Sequence, residues 1–109
     1  MKRVVVTGMA GITSLGSDWA SIEAHFSSNR SGIRYMHEWD RFTELNTRLA
    51  GPVDDFVVPG HWTRKQLRSM GRVSRLSVKA AEQALEHAGL LDDASIRDGR
   101  MGVACGSST

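Results

Sequence analysis

Apolar and polar residues follow two different periods along this chain. Val4–Val5–Val6, between Arg3 and Thr7, is a β-branched run that predicts a buried, parallel strand. Met101 to Cys105 predicts a second strand. Between them the period becomes helical. Trp19, Ile22 and Phe26 fall at i, i+3 and i+7. They predict one apolar stripe facing a sheet, on a helix capped by Ser17 or Asp18 and running to about Ser27. Thr63 and Gln66 have the spacing of a capping box, so a second helical stretch starts there. It pauses near Gly71 and resumes to Ala88, with Val73, Leu76, Ala80, Ala84 and Ala88 in register. Gly89 stands where a left-handed C-cap belongs.

The remaining segments predict loops. Gly8 to Gly16 is punctuated by glycines at 8, 11 and 16. That spacing fails the dinucleotide fingerprint, so tight turns with close backbone packing are expected. Asn29 to Gly32 is a turn. Tyr35, Met36, Trp39 and Phe42 predict either a short helical turn or irregular packing over the core. Leu49 to Val53 predicts a short edge strand, because Pro52 argues against a central one. Leu90 to Asp98 is a connector. Strand, helix, long excursion, helix and strand is the order of a layered α/β protein.

Composition adds little. The chain has 109 residues, 40% hydrophobic and 24% charged, with a net charge of +2. That is enough for one modest domain and is neither disordered nor fibrous in character. A single cysteine excludes an internal disulfide framework. His25, His37, His61 and His87 show no metal-ligand spacing, and no metal or cofactor is implied. The apolar run after Met1–Lys2–Arg3 is too short for a signal peptide. No stretch has the length of a membrane span. A cytoplasmic protein is expected.

The charge that matters is concentrated between His61 and Arg75. Arg64, Lys65, Arg68, Arg72 and Arg75 include no acid among them. On a continuous helix, Arg64, Arg68, Arg72 and Arg75 share a face and repel one another by a few tenths of a kcal/mol per pair. An anionic partner opposite would relieve that repulsion and be steered by it. The alternative is a solvated face whose arginines pair with Asp54, Asp55, Glu82 or Glu86. Nucleic acid is disfavoured, because aromatic interleaving is limited to Trp62.

Cys105 is the other candidate. It precedes Gly106–Ser107–Ser108, and a thiol at a strand end can serve as a nucleophile. No helix or histidine in fixed relation follows it, so a small buried hydrophobe is the preferred reading.

In order, Arg3 to Gly8, Gly11 with Leu15–Gly16, Trp19, Ser31–Gly32–Ile33, Ala50 to Val53, Arg64–Lys65 to Arg68–Ser69–Met70, Ala80–Ala81 to Leu90, and Met101–Gly102–Val103 with Gly106–Ser107 form a set. That set resembles the N-terminal part of the β-ketoacyl-[acyl carrier protein] synthases, types I and II, of the thiolase-like superfamily.

The resemblance implies an α/β fragment of a layered fold, the duplicated αβαβα unit. Residues 1–109 would be the first, incomplete part of its N-terminal domain. It implies an acyltransferase of fatty acid biosynthesis that joins an acyl thioester to malonyl-[acyl carrier protein] by decarboxylative Claisen condensation. The family nucleophile and its two histidines match positions beyond Thr109. Hence no catalytic residue is expected in this chain, Cys105 included, and the isolated piece should be inactive. Arg64, Lys65 and Arg68 match the family's docking surface for the acidic carrier protein. Gly71 stands where the family often has an acid. The implied partners are acyl carrier protein, with phosphopantetheine-linked groups, and a second copy of the whole enzyme. Two other readings stay open: a non-catalytic synthase-like subunit, and a small anion-facing binding domain.

Overall fold

The computed structural model describes residues 1–108. Helix α1 spans Trp19–Ser27. Asp18 caps it, accepting from the Ser21 backbone N–H at 2.8 Å and from the Ser21 hydroxyl at 2.7 Å. The helix ends on Asn29 at φ 52°. The Asn29 and Arg30 N–H groups donate to the Phe26 and His25 carbonyls, which closes the last turn in a Schellman arrangement.

The excursion then folds back on itself. Strand β1 (Arg34–Tyr35) pairs antiparallel with β2 (Leu49–Ala50), with Arg34 opposite Ala50 and Tyr35 opposite Leu49. The edge strand expected over 49–53 therefore exists but stops before Pro52, which has no N–H for a ladder. A 3-10 turn over His37–Trp39 supplies the short helical turn between them. Met36, at its start, is one of two buried hydrophobic residues among those described; the other is Ile22 on α1.

Helix α2 (Arg64–Arg68) and helix α3 (Arg72–His87) follow. The pause expected near Gly71 is real. Gly71 is extended, at φ −71° and ψ 180°, and begins a new helix instead of continuing the old one. The α3 C-terminus has the expected glycine. Gly89 adopts φ +71°, its N–H donates to the Glu86 carbonyl, and that of Leu90 donates to Leu85. A second 3-10 turn, Ala94–Ile96, lies in the connector.

Two expectations are corrected. Residues 3–7 and 101–105 form no strand among the described residues. Val4, Val5, Val6 and Val103 are exposed by 67 to 96%. A strand exists only against a hydrogen-bonded neighbour, and none of the described residues pairs with either segment. For the same reason the α1 stripe is not core throughout. Ile22 is buried, but Trp19 and Phe26 stay exposed.

The dimensions agree with an open arrangement. The radius of gyration is 17.4 Å, where a compact domain of this length has about 13 Å. The accessible surface is 9162 Å², where a compact protein of this mass exposes about 6,000 Å².

Candidate functional site

The basic segment is built by its caps. Thr63 Oγ1 accepts from the Gln66 N–H at 3.2 Å, and Gln66 Oε1 accepts from the Thr63 N–H at 2.8 Å. Two otherwise orphaned backbone donors are thus satisfied reciprocally, and α2 starts at Arg64. Arg64 and Arg68 lie one turn apart, with Lys65 beside them, so the three cations share one face. All three are exposed. Among the described residues, none of their side chains makes a hydrogen bond or ion pair.

Arg72 and Arg75 behave differently. The break at Ser69 to Gly71 places them on a separate helix. An Arg72 Nη2–H donates to the Val53 carbonyl. Half-buried Arg75 points back at the end of α2: its Nε–H donates to the Met70 carbonyl at 3.1 Å, and Nη2 lies 3.5 Å from the Leu67 oxygen. The continuous five-cation stripe is therefore a patch of three, with two arginines engaged by backbone carbonyls.

The acids suggested as partners are engaged elsewhere or are free of these arginines. Asp54 pairs with Arg34. Glu82 pairs with His61 and lies 3.8 Å from Lys79. The His61–Glu82 pair ties the segment before α2 to the middle of α3, a contact between residues 21 apart that no sequence pattern announces. The role of Arg75 is within reach of sequence reasoning, because a helix restarting at Arg72 puts it in the first turn, facing back.

Cys105 is exposed, and among the described residues no hydrogen bond or ion pair activates its thiol. His87 meets the loop after the first valine run. Its Nδ1 lies 3.0 Å from the Met9 nitrogen and 3.1 Å from the Met9 oxygen. His25 Nδ1 lies 2.8 Å from the Ser21 carbonyl, and His37 lies against Tyr35 with ring centroids 4.8 Å apart. These roles are structural. Among the described residues, no three His, Cys, Asp or Glu side chains gather into a group able to hold a metal ion. No helix of the described residues is long and apolar enough to cross a membrane.

An open cleft of about 410 Å³ lies beside α1, lined by residues that include Ser14, Asp18, His25, Arg34 and Asp54. Within it, Asp18 caps α1 and Arg34 is paired with Asp54.

Comparison with known proteins places this arrangement. Residues 1–109 match the model of the β-ketoacyl synthase N-terminal domain. The crystal structure of a β-ketoacyl synthase from Burkholderia phymatum STM815 is 56% identical and superposes with a TM-score of 0.91, covering 99% of this chain and 26% of that one. Nodulation protein E of Rhizobium meliloti is 40% identical over 82% of this chain and 22% of its own length. The 3-oxoacyl-[acyl-carrier-protein] synthase 1 of Haemophilus influenzae is 32% identical over 100% of this chain and 26% of its own. Synthase 2 of Vibrio harveyi is 34% identical over 97% and 25%.

The chain belongs to the β-ketoacyl synthase family, and its fold is the α/β thiolase-like fold of that family's N-terminal domain. It spans about a quarter of the length of these relatives.

Proposed function

We propose that the protein to which this chain belongs is a β-ketoacyl-[acyl carrier protein] synthase of fatty acid biosynthesis, and that this chain supplies the carrier-docking face and no catalytic residue. Residues 1–109 are the first part of its N-terminal domain. The exposed valines of 4–6 and Val103, with Trp19 and Phe26 on α1, support that assignment. They are an apolar surface that pairing and covering by further layers of the same protein would bury.

The reaction is a decarboxylative Claisen condensation. A cysteine thiolate outside this chain attacks the acyl thioester and releases the carrier thiol. Malonyl carrier protein loses carbon dioxide, and the resulting carbanion attacks the enzyme-bound thioester. Collapse of the tetrahedral species expels the thiolate and leaves a 3-oxoacyl carrier thioester. Thiolate suits both roles, as nucleophile and as leaving group. Fixed N–H donors stabilise the developing enolate charge.

One observation carries the role of this chain. Of five neighbouring cations, Arg64, Lys65 and Arg68 share a capped, exposed helix face and have no anion of their own among the described residues. An acidic, soluble carrier protein fits that face. The enzyme would then be cytoplasmic and act as a homodimer, the habit of the family. Nucleic acid fits less well, because Trp62 is the one aromatic residue interleaved with the basic segment.

Titrating acyl carrier protein onto the full-length protein at increasing salt tests the reading. Affinity should fall steeply as salt screens the exposed patch. Salt-independent binding would reject it.

A further inference from the structure

We infer that α3 holds the docking helix at both ends, through Arg75 at its C-terminus and through the His61–Glu82 pair before its N-terminus, and that these residues position Arg64, Lys65 and Arg68 for the carrier. The inference rests on the docking reading above.

Helix α2 has five residues. Helices this short do not persist by themselves in water. The capping box satisfies the first turn but does not fix the axis of α2 relative to its surroundings. The extended Gly71 separates α2 from α3, so the two are not one rigid rod. Something else must set the angle between them.

Arg75 is placed to do so. Its guanidinium reaches back to the carbonyls of Met70 and Leu67, at 3.1 and 3.5 Å. Those carbonyls lie at the C-terminal end of α2 and just beyond it, where a cation is favoured; the Leu67 oxygen also accepts from the Met70 N–H at 3.2 Å. A planar fork can address two carbonyls at once, which a lysine ammonium at the end of a flexible stem does not reproduce. At the other end, His61 stands two residues before the Thr63 cap, and its ring is bonded to Glu82 on α3. Both holds therefore come from one helix. Arg75 is half-buried and its guanidinium is engaged by these carbonyls, so its effect on docking runs through geometry and not through its own charge.

The test uses the full-length protein with two substrates: an acyl thioester on acyl carrier protein, and the same acyl group on free pantetheine. Arg75→Gln and Arg75→Lys should each raise KM for the carrier-borne substrate by roughly 3- to 30-fold. Kinetics with the pantetheine thioester should stay unchanged. A parental KM in Arg75→Lys, with only Arg75→Gln impaired, would mean that charge and not position matters, and would overturn the inference. So would parental KM in both variants. Arg64→Glu/Arg68→Glu is measured alongside. If that double variant alone raises the carrier KM, the positioning role fails and docking stands. If it leaves the carrier KM unchanged, the docking reading fails. Should the Arg75 variants not fold, His61→Gln, at an exposed ring, carries the same comparison: a raised carrier KM supports the inference and a parental one overturns it.

Discussion

Gly8 lies against Ala84. A Cβ built at Gly8 would sit 2.3 Å from the Ala84 carbonyl oxygen and 2.8 Å from the Ala88 Cβ. The first loop is thus seated directly on the C-terminal end of α3, backbone against backbone. The nearby contact between His87 Nδ1 and the Met9 backbone holds the same junction from the side.

Gly8→Ala should therefore destabilise the full-length protein. The neighbours are helix backbone and cannot step aside, so overpacking costs about 1–3 kcal/mol. Thermal unfolding of the parent and the variant measures it. An unchanged melting temperature would mean that the loop and α3 are not in contact in the folded enzyme.

Acid should loosen the start of α1. The two bonds from Ser21 hold the Asp18 carboxyl below its ordinary value of 3.8. A carboxylate with a lowered pKa in the folded state contributes stability above the ordinary value. That contribution fades as pH falls through the lowered one. An asparagine at the same position also caps a helix but does not titrate. Asp18→Asn should thus flatten the acid side of the stability profile below pH 3.8. Identical acid limbs in parent and variant would contradict the cap's role.

Cys105→Ala should leave condensing activity near that of the parent protein. Cys105 is exposed in this chain, and no base among the described residues is bonded to it. Assay of the purified full-length variant checks this. Abolished activity in a well-folded variant would make Cys105 a participant in the chemistry.

What is legible in the sequence divides along physical lines. The α1 cap, the Thr63/Gln66 box, the pause at Gly71 and the Gly89 cap are all local. Each is settled within four or five residues, so spacing alone reveals them. The runs at 3–7 and 101–105 have the composition of strands, but a strand needs a partner, and partners are non-local. The α1 stripe fails in the same way: Ile22 finds cover within the chain, whereas Trp19 and Phe26 do not.

The basic stripe is half legible. Charge and spacing single out Arg64, Lys65 and Arg68. They also put Arg72 and Arg75 on the same continuous helix, whereas a separate helix begins after Gly71 and the two arginines are engaged by backbone carbonyls. The His61–Glu82 pair has no signal, because its members stand 21 residues apart in the chain.

Reversing the patch tests the central claim most directly. In the full-length protein, Arg64→Glu/Arg68→Glu should raise KM for an acyl group carried on acyl carrier protein by roughly tenfold or more. KM and kcat for the same acyl group on pantetheine should stay close to the parental values. Unaltered kinetics with the carrier-borne substrate would contradict the assignment of this helix as the docking face.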